Sequence, residues 1–183
     1  MKAIVQDGYG SVDVLRLDEI ATPTIGDDEV LVRVRATSVH PDIWHVMTGQ
    51  PYALRAMGAG LSRPKNRVPG TDMSGTVQAI GKNVTGFAAG DDVFGETVTG
   101  YQWDNGGTFA EYVAVHQDFL ALKPPNLSFE QAAALPTAGL IVLNNLRGRA
   151  AIQAGQRVLI NGAAGGVGTS AIQIAKAVGA RVI

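Results

Sequence analysis

Hydrophobic and polar positions follow two different patterns along the chain. From the N-terminus to about Leu122 the apolar residues come in short stretches with a period of two. In Glu29-Val30-Leu31-Val32-Arg33-Val34-Arg35-Ala36, the residues Val30, Val32, Val34 and Ala36 alternate with others, the repeat of a strand with one buried face. Short strands are also expected over Lys2–Gln6, Val14–Glu19, Gly75–Ile80, Asp92–Phe94 and Thr108–Val115. Between them stand the turn signals Asp7-Gly8, Gly26-Asp27, Gly81-Lys82-Asn83, Gly90-Asp91 and Asn105-Gly106-Gly107;. This spacing predicts an antiparallel barrel or sandwich. The stretch from His40 to Pro69 breaks the pattern. It is punctuated by Pro and Gly, carries Trp44, His45 and Tyr52, and has no sustained period. It reads as a long loop with short helical pieces, the kind of segment that in a compact domain tends to carry function.

After Pro124-Pro125 the pattern becomes helical. Ser128-Phe129-Glu130-Gln131 has the spacing of a capping box, in which Ser meets an early backbone N–H and Gln reaches back to the cap. Pro136 predicts a break in the apolar run that follows, with a second helix over Ala138–Arg147. Gln156–Asn161, with Val158-Leu159-Ile160 at its centre, reads as a strand buried on both faces;. Then comes Gly162-Ala163-Ala164-Gly165-Gly166-Val167-Gly168. Beyond it Val167, Ala171, Ile174 and Val178 fall on one helical face, Gly179 marks the stop, and Arg181-Val182-Ile183 starts another strand;. Strand, glycine turn, helix and strand make one βαβ unit.

That turn is the main candidate for chemistry. In the register of a dinucleotide-binding fingerprint its positions are Ala163, Gly165 and Gly168, with Ala replacing the first glycine. Gly165 would let the backbone approach a pyrophosphate, and Gly168 would let helix and strand pack closely. The free N–H groups at the helix start favour an anion. A tight turn without a ligand is the alternative. Other nucleotide and nucleophile motifs fail: Gly81-Lys82 lacks the first glycine and the Ser/Thr of a phosphate loop, and no G-x-S-x-G elbow occurs;. His40, His45 and His116 do not show a metal-ligand spacing;.

Composition removes several classes. The 183 residues include no cysteine, which excludes disulfides, thiol catalysis and cysteine-ligated metals. The net charge of -1 gives no global reason to expect nucleic acid or an anionic membrane as partner;. The apolar run Ala132–Leu143 is too short to span a bilayer;. With no signal-peptide pattern at Met1-Lys2-Ala3-Ile4-Val5, a soluble, cytoplasmic protein is expected. Charge is uneven, however. Residues 1–130 carry a net of -6, whereas 131–183 hold five basic side chains and no acid, a net of +5. Arg55, Arg63, Lys65 and Arg67 also make the end of the His40–Pro69 stretch basic. Both features suit an anionic ligand, and both are equally met by a solvated surface.

Motifs along the whole chain resemble the medium-chain dehydrogenase/reductase superfamily, above all its zinc-independent quinone oxidoreductase and enone reductase branch. They are Pro69-Gly70-Thr71-Asp72-Met73-Ser74-Gly75, Val77-Gln78-Ala79-Ile80-Gly81, Phe87-Ala88-Ala89-Gly90-Asp91-Asp92-Val93-Phe94-Gly95, Gly107-Thr108-Phe109-Ala110-Glu111-Tyr112, Leu135-Pro136-Thr137-Ala138-Gly139-Leu140 and Asn161–Gly168. The resemblance implies an N-terminal GroES-like β-barrel domain over 1–124. The first part of an α/β Rossmann domain, incomplete, would follow over 125–183, with the active site in the cleft between the two. It implies hydride transfer from NADPH or NADH to a small quinone or α,β-unsaturated carbonyl. The protein would hold donor and acceptor in line and exclude water. Zinc-dependent members carry a Cys near position 40 and a His where this chain has Thr71, so no zinc is expected.

In the reductase branch an Asn-Pro pair lies beside the nicotinamide, and its counterpart here is His40-Pro41. Thr137 matches a position on the nicotinamide side. Ala163, Ala164, Gly165, Gly166, Val167 and Gly168 match the diphosphate turn. Tyr52 matches an aromatic position of the substrate cleft, where its hydroxyl could donate a proton or bind the carbonyl oxygen, and Trp44 is placed as a wall of that cleft. Simple packing is the competing role for both aromatics. Asp72 reads as a buried or capping carboxylate. The ribose-contacting residue would fall about 20 positions past the turn, beyond Ile183, so NAD and NADP are not distinguished. The family dimer through the Rossmann domain would be unavailable to such a fragment, and weak dinucleotide binding with little turnover is expected of it. A non-catalytic remnant that binds a ligand or partner, and an alcohol dehydrogenase-type substrate range, stay open.

Overall fold

The computed structural model describes residues 1–98, 106–146 and 151–183. They form two compact units, Met1–Ala134 and Leu135–Ile183. Asn105 of one expected turn and Arg147 at the expected helix end lie outside the described residues.

The first unit is built on a five-stranded antiparallel sheet. Its strands are β3 (Glu29–Thr37), β4 (Asp72–Ile80), β5 (Asp92–Glu96), β6 (Tyr112–His116) and β7 (Leu120–Leu122), in the order β6-β3-β4-β5-β7. The period-two reading of β3 holds: Val30 and Val32 are fully buried, and with Met73, Val77, Val93 and Val113 they make the core. Two register shifts in the β3–β4 pairing, at Leu31/Val32 and Val34/Ala36, mark bulges, which bend and twist a strand. A two-stranded antiparallel pair, β1 (Lys2–Val5) and β2 (Arg16–Glu19), joins this sheet region through an Ala3–Ala110 bridge. Ile4 N–H donates to Phe109 O at 2.8 Å and Glu111 N–H to Lys2 O at 3.0 Å. The expected strand over Thr108–Val115 therefore begins later, because Thr108–Ala110 is used to reach β1.

The His40–Pro69 stretch is more ordered than expected. It contains the helix α1 (Pro41–Thr48) and one wider helical turn at Arg55–Ala59. Pro41 occupies the first turn of α1, where no N–H is needed;. The helix α2 (Phe129–Ala133) starts with both hydrogen bonds of the Ser128/Gln131 capping box. Ser74 Oγ donates to Phe129 O at 2.6 Å and fastens that helix to β4.

In the second unit, α3 (Pro136–Leu146) begins at the proline rather than two residues after it, since proline is suited to a first helical turn. The strands β8 (Arg157–Val158) and β9 (Arg181–Val182) pair in parallel around the helix α4 (Gly166–Ala177). Ile160 N–H to Ile183 O (3.0 Å) extends the pairing. Two expectations are corrected. Leu159 is 77% exposed rather than buried, since alternate residues of a strand face opposite sides and the two-stranded β8–β9 sheet is packed by α4. The buried stripe of α4 runs through Gly168, Ala171 and Ala175, with Val167 and Val178 exposed, so small residues carry the close contact.

Candidate functional site

The residues singled out in the sequence fall in both units. In the first, His40 is the N-cap of α1, and its Nε2 lies 2.8 Å from Thr71 Oγ1 just before β4. Thr71 and Asp72 are buried. Thr71 Oγ1 also lies 3.4 Å from Asp72 Oδ1, and Ser38 Oγ donates to Asp72 Oδ2 at 3.2 Å. Thr37 Oγ1 donates to Asp72 O at 2.7 Å and meets Thr108 Oγ1 at 2.9 Å. With the Thr71 hydrogen committed to Asp72, the consistent tautomer has His40 donating from Nε2. Nδ1 is then 3.3 Å from Asp42 Oδ2, within ion-pairing range, yet buried without a hydrogen bond. In a neutral ring these are two acceptors facing each other; in a protonated ring they attract. Asp72 thus has the expected structural place, held by Ser38 and Thr71. Sequence reading missed this hydroxyl network, because Thr37, Ser38 and His40 meet Thr71, Asp72 and Thr108 from more than thirty positions away and no period connects them.

Tyr52 lies after α1 and is 69% exposed. The Arg55 guanidinium carbon stands 4.8 Å from the Tyr52 ring centre and 4.2 Å from that of Tyr9, a cation–π arrangement on two rings. Arg55 Nε and Nη2 donate to Gly49 O (3.0 Å) and Thr48 O (3.2 Å), which anchors the cation to the end of α1. The Tyr9 hydroxyl reaches Ala59 O (2.8 Å) and Gly60 O (2.6 Å), and burial raises its pKa despite the nearby Arg55. Trp44, half-exposed on α1, meets His45 edge-on at 5.1 Å. Among the described residues no hydrogen bond joins His40 to Tyr52.

In the second unit the glycine turn is exposed from Asn161 through Val167. Gly162 has φ +75 and so makes the tight bend that the first glycine of the fingerprint would make, one position before Ala163. Gly165 is the N-cap of α4, without a side-chain cap. The first-turn N–H groups that follow have no acceptor within the helix. A Cβ on Gly168 would strike Gly162 O, so packing demands glycine there. Gly165 differs: its φ is -80, and a Cβ would meet only Gly162 O at 3.6 Å. The protein's own packing leaves room for a side chain at Gly165. Thr137 is buried in the first turn of α3. Its neighbour Ala138 approaches the start of α4, where a Cβ on Gly166 would be 3.8 Å away.

Comparison with known proteins places this geometry. The model of the alcohol dehydrogenase GroES-like domain matches residues 26–125. The chain is 39% identical over 181 residues to 2-methylene-furan-3-one reductase of Solanum lycopersicum, covering 96% of this chain and 44% of that protein. The chain belongs to the medium-chain dehydrogenase/reductase superfamily, in its quinone oxidoreductase-like branch. The solved quinone oxidoreductase of Coxiella burnetii superposes with a TM-score of 0.82 at 36% identity, covering 100% of this chain and 55% of that one. The Escherichia coli quinone oxidoreductase, solved in complex with NADPH, gives 0.80 at 28% identity, covering 100% and 51%. The fold is accordingly a GroES-like domain followed by part of a Rossmann domain. The chain spans about half the length of the curated relatives it matches. No helix among the described residues is long and apolar enough to cross a membrane.

Proposed function

We propose that this chain serves the NAD(P)H-dependent, zinc-independent reduction of a small quinone or α,β-unsaturated carbonyl in the cytoplasm. Its barrel domain would span 1–124 and its nucleotide-binding domain 125–183. The observation that carries the reading is the contrast inside the glycine turn. Gly168 is required by the protein's own packing, while Gly165 sits exposed with space where a side chain would be. A glycine that internal sterics do not require fits a backbone that an external group must approach. The open amides at the head of α4 suit that group being a diphosphate. The relatives' names agree in chemistry: an enone reductase, and quinone oxidoreductases of which one was solved with NADPH.

When bound, a reduced nicotinamide supplies the hydride. Ala163 to Gly168 would hold the diphosphate, and Thr137, by its match to the family position, would serve the nicotinamide side. Tyr52 gives a proton to, or binds, the substrate oxygen. His40, at the position of the family's Asn beside the nicotinamide, would be held in orientation by its bond to Thr71, and the Arg55 guanidinium over the Tyr52 ring would steady that ring. Zinc independence is supported by the absence of cysteine and by Thr71 at the position of a ligand histidine.

The test is titration of the chain with NADPH and NADH by nicotinamide fluorescence, joined to a quinone and enone reduction assay followed by loss of reduced nicotinamide. Binding that disappears in Gly165→Val supports the reading. Binding of neither dinucleotide would overturn it in favour of a ligand-binding or interaction role, and stoichiometric zinc in the purified protein would overturn the zinc-independent form.

A further inference from the structure

Tyr9 stands between β1 and β2, well before the Tyr52 segment in sequence, yet it touches both ends of that segment. At the near end its ring lies against the bend that follows α1. Gly49 takes φ +63 there, and a Cβ on it would stand 2.6 Å from Tyr9 Cδ1. At the far end the Tyr9 hydroxyl offers its one hydrogen to Ala59 O (2.8 Å) and Gly60 O (2.6 Å);. Gly10 N–H donates to Met47 O at 3.1 Å, which ties the neighbouring backbone to α1. Residues 49–60 thus form a loop whose two ends meet one side chain from outside it.

Tyr52, inside the loop, is largely exposed, and its ring faces the Arg55 guanidinium. The position of Arg55 is itself set by others. Gly49 O and Thr48 O accept from its N–H groups, and the Tyr9 ring carries its charge, with the guanidinium carbon 4.2 Å from the ring centre. An exposed ring attracted to a cation follows that cation. Removal of the Tyr9 side chain takes away one of the supports of Arg55 and, with the hydroxyl, the tie to Ala59 and Gly60.

We propose that Tyr9 is a positioning residue for Tyr52: it holds the loop 49–60 at both ends and, through Arg55, sets where the Tyr52 ring stands. The consequence for reduction rests on the reading of Tyr52 as a substrate contact. The placement of the ring does not, and it is measured without substrate or dinucleotide.

The experiment is fluorine NMR of the chain grown with meta-fluorotyrosine, the Tyr52 resonance being identified by its loss in Tyr52→Phe. Tyr9→Leu should move that resonance toward the position it takes in Arg55→Gln, where the ring is released directly. Tyr9→Phe keeps a ring beside Arg55 and loses the hydroxyl bonds, so a smaller displacement in the same direction is expected, and this variant decides if Tyr9→Leu does not fold. In quinone and enone reduction, Tyr9→Leu should raise KM about tenfold, the worth of one partly desolvated cation–π contact. In a Tyr52→Leu background the same change should raise KM less than about twofold, because the ring that Tyr9 positions is gone. If the parent chain reduces neither substrate, the reductase reading falls, and the resonance alone supports or overturns the placement of Tyr52. An unmoved Tyr52 resonance, or an equal rise in KM with and without Tyr52, would overturn the proposal and leave Tyr9 as a packing residue of the loop.

Discussion

A Cβ on Gly168 would collide with the carbonyl oxygen of Gly162 and stand 2.7 Å from the Cα of Ala163. The start of α4 is therefore pressed against the bend that precedes it. Gly162 can form that bend because it takes φ +75, a conformation costly for other residues.

The two later glycines of the turn should separate by experiment. Gly168→Ala is expected to cost about 1–3 kcal/mol of stability, as overpacking does. Gly165→Ala should cost less than about 1 kcal/mol, since its Cβ meets ordinary contact at 3.6 Å;. Its effect should instead fall on NADPH affinity, lowered about tenfold by a methyl between backbone and diphosphate. Urea denaturation followed by circular dichroism, with NADPH titration in parallel, measures both. Equal losses of stability in the two variants would show that the turn is purely structural.

Tyr52→Phe tests the proton donor. Loss of a general acid lowers kcat by about 10²–10⁴-fold. Because Tyr52 is largely exposed and its ring, not its hydroxyl, faces Arg55, the thermal midpoint should not move. Arg55→Gln should instead release the ring and raise KM more than it lowers kcat. A Tyr52→Phe variant with full kcat on both quinone and enone would reduce Tyr52 to a wall of the site.

The sheet makes a quantitative contrast available. Met73 in β4 is fully buried in the core, whereas Leu122 on the edge strand β7 is exposed. Met73→Ala should cost about 2–5 kcal/mol, combining lost burial with a cavity. Leu122→Ala should stay within about 0.5 kcal/mol. Denaturation midpoints of the two variants give the comparison directly, and a cost below 1 kcal/mol for Met73→Ala would mean that the core recloses around the gap.

Features set by near neighbours were legible before the structure. The alternation of β3 is read correctly because one of its faces is solvent, and the Ser128/Gln131 box because its two bonds span three residues. The strand at Val158 was misread because an all-apolar triplet looks alike whether two faces are covered or one. The buried stripe of α4 differs from the expected one because the close contacts are made by Gly168, Ala171 and Ala175, whose small side chains carry little apolar signal beside Val167 and Val178. At the site, the glycine turn was visible as a local motif. The His40–Thr71 bond and the Tyr9–Arg55–Tyr52 stack were not, because each joins at least one residue more than thirty positions from its partner through the path of the fold.

Acid should weaken the first unit through one surface cluster. Arg67 bonds Asp7 and Asp18, and Arg16 bonds the same two carboxylates. Asp7 is held below its ordinary value of 3.8 first by Arg67 and then by Arg16. Asp18 is lowered first by the Glu19 backbone N–H and then by Arg67. A carboxylate with a depressed folded-state pKa stabilises the fold above its unfolded value, and that contribution is lost as pH falls through the lower, folded value. Arg67→Gln should therefore lower the urea midpoint at neutral pH, and the gap to the parent should shrink as pH drops below 3.8. All four side chains are substantially solvent-exposed, so screening keeps the effect modest, and raising ionic strength at neutral pH should also narrow the gap. Midpoints that differ by the same amount at every pH and salt concentration would instead assign the role of Arg67 to the packing of its aliphatic stem.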